Sequence, residues 1–336
     1  MKLMQRMQTC AKRGARRGFL FGMASMALAL PGLAAAQDAW PSKSIRLVVP
    51  FAPGGASDII ARLIAKDLSA NLKQPVVVDN RPGAAGTLGA DIVAKSAPDG
   101  YTILLGDVSV VMTYPSLYKT LPFAPKDLLP VVNVATFGLI MVTSANSPIN
   151  TLQDVVAMEK ANPGTLNMAS PGSGSSNHLT LEKFNKAAGT RLVHVPYKGA
   201  GPAIADVVGG QVHLTLISGA AAKPLLDGKK VKAVAVTSQK RVSLVPDVPT
   251  IAESGYPGFE SIAGQGLFVP AGTPPEIVRK LHAEVVGIIR QPEMQARWSQ
   301  MGINSHDDTP EQFAQWIARE TKQWSELIQS AGIKAD

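Results

Sequence analysis

From residue 45 onward, short apolar runs alternate with segments of helical period, and loops of small residues join them. Residues 45–49, 76–78 and 101–105 are such runs, and amphipathic segments separate them. Apolar runs of this length, bounded by turn residues, are typical of strands in a parallel sheet, because helices bury both faces of such a sheet. The opening of the chain therefore predicts a βαβαβ unit of the doubly wound α/β class.

The same pattern returns later in the chain and predicts a second unit. We expect further strands at residues 166–169, 192–195, 212–217, 231–236 and 266–269. We expect three closing helices at residues 274–289, 292–301 and 310–331, each with a proline near its start, where a missing N–H costs little. These elements predict two domains, one formed by residues 37–142 and 262–336 and the other by residues 143–261, with crossings near Val142 and Ile262.

The first 36 residues have the three parts of a cleavable export signal. A basic segment precedes an apolar run at residues 18–30, and three alanines at 34–36 offer a cleavage site before Gln37. The apolar run is shorter than the roughly 20 residues that span a bilayer. Arg16 and Arg17 resemble a twin-arginine signal, although Ala15 stands where Ser or Thr is usual, so Sec and twin-arginine export both stay open.

This leader also accounts for most of the positive net charge of the chain. Of the 33 Lys and Arg residues, six lie in the leader, which leaves 27 basic against 25 acidic residues in the mature protein. A nearly balanced charge gives no reason to expect a nucleic-acid partner. Cleavage would also remove Cys10, the one cysteine, and a protein without disulfides outside the cytoplasmic membrane fits the periplasm.

The sequence offers little for a metal or a cofactor. None of the five histidines forms an i, i+4 pair, and one cysteine excludes a cysteine-based zinc site. No P-loop motif occurs either. We therefore expect neither a metal nor a cofactor.

Three small-residue loops lie between the end of an expected strand and the start of an expected helix, at residues 53–57, 172–176 and 198–201. The first amides of a helix have no acceptor within it, and they carry about half a positive charge. Glycine lets a ligand approach the backbone closely, so such loops suit a small carboxylate. Four or five hydrogen bonds of this kind could support about micromolar affinity. The alternative is that these are only the tight turns that any parallel α/β protein needs.

Seven motifs in order along the mature chain resemble the Bug family, the extracytoplasmic solute receptors of tripartite tricarboxylate transporters. They are IRLVVPFAPGG at 45–55 with Asp58, VDNRPGA at 78–84, APDGYT at 97–102, GSSNHL at 174–179, HVPYKG at 194–199, VPTIAE at 248–253 and PAGTP at 270–274. The resemblance implies a two-domain type II periplasmic-binding-protein fold (a Venus flytrap), with a doubly wound, mainly parallel sheet in each domain. It also implies a small carboxylate ligand, delivery to the membrane subunits of such a transporter, and a monomer.

In that family the carboxylate is held mostly by backbone amides of the strand-to-helix loops, and the resemblance places the site accordingly. The implied contacts are Phe51, Gly54, Gly55, Ala56 and Asp58 from the first domain, Ser170, Ser173, Ser175, Tyr197 and Asp206 from the second, and Ser109 from the loop after the third strand. Which carboxylate is bound stays open, because backbone amides recognise the group that all candidates share.

Two other functions stay open at this point. Ser175, His178 and Asp206 could serve a periplasmic hydrolase or lyase, and a receptor could also report to a signalling partner instead of a transporter. One departure from the family concerns the ligand: relatives often carry Trp where this chain has Gly264. If Gly264 borders the cleft, the missing indole predicts a roomier pocket for an aromatic or longer acid; the alternative is a substitution without effect.

Overall fold

The computed structural model describes residues 40–333, so the expected leader lies outside the described residues. The described strands form two sheets. The six-stranded sheet has the order β11-β4-β10-β3-β1-β2 and the five-stranded sheet the order β7-β6-β8-β5-β9. The strands are β1 (Ile45–Val49), β2 (Val76–Asn80), β3 (Thr102–Asp107), β4 (Leu128–Gly138), β5 (Ile140–Ser144), β6 (Asn167–Ser170), β7 (Val193–Pro196), β8 (Leu214–Ile217), β9 (Val231–Val236), β10 (Ile262–Pro270) and β11 (Ile303–Ser305).

The helices connect these strands and pack against the sheets. They are α1 (Ala56–Leu72), α2 (Thr87–Ala94), α3 (Ser109–Met112), α4 (Tyr114–Leu117), α5 (Leu152–Ala161), α6 (Ser176–Ala188), α7 (Ala200–Val208), α8 (Gly219–Asp227), α9 (Pro275–Ile289), α10 (Pro292–Gln300) and α11 (Pro310–Ala331). The predicted α/β fold class is confirmed, and the three closing helices begin at prolines as expected. Within residues 40–333, no helix has the length and apolar character to cross a membrane.

The strands of the two predicted units pair in parallel, whereas the strands next to the crossings between the sheets pair antiparallel. β1 pairs in parallel with β2 and β3, and β6 pairs in parallel with β7 and β8. β4, β5 and β10 pair antiparallel with their neighbours. The sequence analysis missed β4, β5 and β11; in β4, Pro130 interrupts the apolar run and argues against a strand interior.

The chain passes between the sheets at two places, which one threonine joins. It leaves the six-stranded sheet after Gly138, and β5 begins at Ile140 in the other sheet; it returns at Ile262. Thr237 is fully buried between these crossings. Its Oγ1 accepts a hydrogen bond from the Leu139 amide at 2.8 Å and donates one to the Ser261 carbonyl at 2.6 Å. The two crossing segments are therefore held side by side.

The helix starts fall into two groups, which matters for ligand binding. Ser or Thr side chains cap α5, α6, α8 and α11. By contrast, Gly55 is the N-cap of α1 and Gly199 that of α7, and neither helix has a side-chain cap. Because the first amides of a helix have no acceptor within it, α1 and α7 present uncapped donors. Ser57 and Asp58 lie inside α1 and do not cap it.

Candidate functional site

A cavity lies between the two sheets, with about 520 Å³ of space not filled by atoms, including solvent at its mouth. The wall on the six-stranded sheet consists of the loop after β1, the start of α1 and the ends of three strands. Its residues are Phe51, Gly55, Ala56, Ser57, Asp107, Phe137, Leu139, Ala263 and Gln265. Phe51, Gly55 and Ala56 are thus the predicted site residues that line this cavity.

The opposite wall comes from the five-stranded sheet and the starts of three helices. Its residues are Pro171, Asn177, Ala200, Leu216, Ile217, Ser218 and Ala221. The two walls approach closely at glycine: a β-carbon at Gly55 would lie 3.1 Å from the β-carbon of Ala200. The uncapped starts of α1 and α7 therefore border the cavity from opposite sides.

Two lining polar side chains brace the start of α1. Ser57 Oγ donates a hydrogen bond to Gln265 Oε1 at 2.6 Å, and both side chains are buried. Gln265 lies directly opposite Asp107 in the antiparallel pair of β10 and β3. This polar strip links the helix start to the centre of the six-stranded sheet.

The cavity lining has no basic side chain among the described residues. Among the residues that line it in the described structure there is no Lys or Arg, and Asp107 is the lining residue with an ionisable side chain. The uncapped amides of α1 and α7 are therefore the source of positive potential at the cavity wall. Within the described part of the chain, no group of three or more His, Cys, Asp or Glu side chains could hold a metal ion.

Asp58 holds the loop after β1 and does not line the cavity. Its carboxylate accepts hydrogen bonds from the Gly54 amide and from Asn80 Nδ2, each at 3.1 Å, and pairs with Arg62 at 2.9 Å. Burial opposes the charged form, but the hydrogen bonds from Arg62, Gly54 and Asn80 lower the pKa of Asp58. The Gly54 amide is therefore already occupied.

Three serines predicted as ligand contacts are buried, and none of them lines the cavity. Ser109 donates its amide to Asp107 Oδ1 at 2.9 Å. Ser170 Oγ lies 2.6 Å from His194 Nε2, and Ser175 Oγ donates to the Gly172 carbonyl at 2.7 Å. The hydroxyls of Ser170 and Ser175 therefore bond within their own sheet and loop, and the Ser109 hydroxyl lies 3.5 Å from the Ser176 hydroxyl.

The structure does not join Ser175, His178 and Asp206 into a catalytic relay. His178 Nδ1 accepts the Gly174 amide at 3.0 Å, while the Ser175 hydroxyl points to a carbonyl, as described above. Asp206 accepts the Tyr197 hydroxyl at 2.6 Å. Each group therefore has a different structural partner from the one that a Ser-His-Asp mechanism requires.

Two other predicted site residues line a second cavity. Ser173 and Tyr197 line it together with Tyr118 and Lys198. Burial, with Asp206 beside the hydroxyl, raises the pKa of Tyr197 to about 12. Tyr118 Oη donates to the Ser173 carbonyl at 2.6 Å and so bridges a loop of the six-stranded sheet to one of the five-stranded sheet.

The hypothesis that Gly264 enlarges the pocket is wrong. Ala263 and Gln265 line the cavity, and the residue between them in a strand faces the other side. A β-carbon at Gly264 would lie 3.0 Å from Val108 Cγ2 and 3.3 Å from Trp316 Cη2. The space beside Gly264 is therefore filled by the packing behind the sheet.

The sequence analysis missed several lining residues, of which Asp107 and Gln265 have the clearest chemistry. They come from β3 and β10, which are distant in sequence and adjacent in the sheet. Asp107 is the last residue of β3, and a polar residue at the carboxyl end of a parallel strand is a signal that could have identified it.

The comparisons with known proteins agree with this architecture. The family model described as "Tripartite tricarboxylate transporter family receptor" matches residues 60–333. Protein BugT of Bordetella pertussis is 34% identical over 319 residues, which cover 94% of this chain and 98% of BugT.

Two solved structures from Rhodopseudomonas palustris are also similar. Rpa4515 with adipate has a TM-score of 0.85 and 33% identity, and the match covers 88% of this chain and 99% of that one. MatC with bound malate has a TM-score of 0.81 and 33% identity, with 86% and 100% covered. The chain therefore belongs to the family of tripartite tricarboxylate transporter receptors, as its motifs predicted, and is a solute-binding receptor of the Bug type.

Proposed function

We propose that the cavity between the sheets captures a small carboxylate, whose negative group binds the first amides of α1. The observation that carries this proposal is the uncapped start of α1, which borders the cavity between the sheets, where no Lys or Arg is among the described lining residues. Hydrogen bonds to a charged group contribute roughly 1.5–3 kcal/mol each, so the amides of a helix start can hold an acid without arginine.

The similar proteins support this class of solute. Rpa4515 was solved with adipate and MatC with malate; both ligands are dicarboxylic acids, so they support a carboxylate as the solute class without fixing the group at the far end of the solute of this chain. The apolar part of our cavity, formed by side chains such as Phe137, Leu139 and Leu216, suits the carbon chain of such an acid. The receptor would be exported by the leader at residues 1–36, hold its solute in the periplasm and deliver it to the membrane subunits of a tripartite tricarboxylate transporter.

Capture would use a hinge between two lobes, which we define by the two sheets with their helices. This keeps the two-domain division expected from the sequence, with the hinge at the crossings that Thr237 joins. The Ala52 amide already donates to the Lys198 carbonyl across the lobes at 3.4 Å. An acid that touches both lobes binds the closed form better, and this difference in affinity drives closure.

Isothermal titration of the mature protein with mono-, di- and aromatic carboxylates tests the proposal. Binding at 100 times Kd stabilises a protein by about 2.7 kcal/mol, so thermal shift provides a rapid first screen. The proposal fails if sugars or amino-acid cations shift the melting temperature and no acid does. Mass balance of the bound acid is measured in the same samples, because conversion to product would favour an enzyme.

Uptake of the identified acid into vesicles that contain the transporter's membrane subunits tests delivery. We expect uptake to require the receptor. Binding without receptor-dependent uptake would favour a signalling receptor.

A further inference from the structure

The carboxylate of Asp107 lines the cavity, so it can affect which acid binds there. Asp107 ends β3, is 6% exposed and lines the cavity. It forms no ion pair with any residue of the described chain. A buried carboxylate without a cation is costly, because it has lost water and gained no opposite charge.

Each carboxylate oxygen of Asp107 already accepts one hydrogen bond within the protein. Oδ1 accepts the Ser109 amide at 2.9 Å, and Oδ2 accepts the Ser176 hydroxyl from the other lobe. Ser176 is the first residue of α6, so the protein's own carboxylate lies at the start of that helix. A second anion at this helix start would face a like charge. In the proposed function the ligand's carboxylate lies at α1, away from this helix start, so that Asp107 is left to face another part of the ligand.

A carboxylate has about four acceptor positions, and these two hydrogen bonds use two of them. A ligand hydroxyl or ammonium group could fill a remaining position, and an ammonium group would also neutralise the charge. A second ligand carboxylate would instead be repelled. We infer that Asp107 selects acids that carry a hydrogen-bond donor beyond their carboxylate and disfavours dicarboxylates. This inference rests on the proposed function, because it assumes that α1 holds the carboxylate.

Four acids of equal length separate the possibilities: 4-aminobutanoate, 4-hydroxybutanoate, butanoate and butanedioate. They share a four-carbon chain and differ at its far end: C4 carries an ammonium group in the first and a hydroxyl in the second, is a methyl group in the third and is a carboxylate carbon in the fourth. The six-carbon series is titrated in the same way, so that two chain lengths are compared. We expect at least tenfold tighter binding of the amino or hydroxy acid than of the dicarboxylate in the series that binds. Equal or tighter binding of the dicarboxylate overturns the inference and leaves the proposed function standing.

The substitution Asp107→Asn removes the charge and nearly keeps the shape. We expect it to bring the affinities for the donor-bearing acid and the dicarboxylate at least tenfold closer together. Asp58→Asn is the matched control, because it makes the same chemical change at a buried carboxylate that does not line the cavity; it should weaken all the acids by one factor. An unchanged ratio in Asp107→Asn contradicts the inference. If no acid of either series or of the wider screen binds the wild type, the proposed function itself fails.

Discussion

Tyr118 donates its hydroxyl to the carbonyl of Ser173 across the two lobes, whereas the neighbouring Tyr114 donates to Ala85 within one lobe. The two rings pack edge to face, 5.2 Å apart. The hydroxyl of Tyr118 therefore connects the two lobes, and the hydroxyl of Tyr114 forms its hydrogen bond inside the lobe of the six-stranded sheet.

The first prediction separates these roles. Tyr118→Phe removes a hydrogen bond between the lobes, worth about 0.5–1.5 kcal/mol, so under the proposed closure mechanism affinity for the acid should fall roughly 2- to 10-fold. Tyr114→Phe should lower the free energy of unfolding by about 1 kcal/mol and leave affinity unchanged. Titration calorimetry and denaturant unfolding measure the two effects. Equal affinity losses in both variants would refute a latch at Tyr118.

The second prediction tests closure at Gly201. A β-carbon at this second residue of α7 would lie 2.3 Å from the Pro53 carbonyl oxygen of the other lobe. Alanine is compatible with the helix, so Gly201→Ala should keep each lobe folded while blocking the close approach. We expect at least a tenfold loss of affinity and no ligand-induced compaction in small-angle scattering.

Gly287→Ala is the control for that experiment. It lies inside α9, and a β-carbon there meets nothing within 4 Å. This substitution should stabilise the protein by up to about 1 kcal/mol through helix propensity and leave affinity unchanged. Wild-type affinity in Gly201→Ala would show that the lobes need not come this close to bind.

The third prediction removes one backbone donor at the start of α1. Ala56→Pro eliminates the Ala56 N–H, and the first position of a helix accepts proline. Gly55 before it is already extended, with φ −87° and ψ 175°, as a residue before proline requires. Ala56→Val adds similar bulk but keeps the N–H. Affinity in the proline variant should be about tenfold or more below that of the valine variant, since a charge-assisted hydrogen bond is lost.

Titration calorimetry at one pH and salt concentration gives this comparison directly. Similar affinities in Ala56→Pro and Ala56→Val would mean that the acid is not held by this amide. Circular dichroism melting confirms that both variants fold before their affinities are compared.

The fourth prediction concerns His194. Burial, with His178 stacked on it at 3.8 Å between ring centroids, lowers the pKa of His194 to about 3. In the unfolded chain the pKa of histidine is about 6.5, so between these values the unfolded state binds more protons. The free energy of unfolding should therefore fall as the pH is lowered from about 6.5 toward 3. Denaturant unfolding from pH 7 to pH 4 measures the slope.

His194→Gln removes this titration and keeps a group that can bond Ser170. The variant should lose stability less steeply than the wild type over the same pH range. Parallel slopes for the two proteins would assign the pH dependence to other groups, such as His306, whose pKa burial also lowers.

The sequence by itself determined the fold class, the family and three of the residues that line the cavity between the sheets. Buried parallel strands need apolar runs, their helices need prolines or caps at the start, and tight strand-to-helix turns need glycine, so each requirement leaves a mark on the chain. The cavity is lined by Phe51, Gly55 and Ala56, which follow β1 directly in the chain. Because this order is local, the sequence alone could predict these residues.

Only the tertiary structure decided which of these polar groups face the cavity. Asp58 and Ser175 bond to their own loops, and Gly264 faces the packing behind β10. Asp107 and Gln265 meet at the cavity because antiparallel pairing places two distant strands side by side. A polar group can form a hydrogen bond with any partner that the fold brings close to it. A local sequence pattern does not contain these distances, so it cannot show which polar groups remain for a ligand.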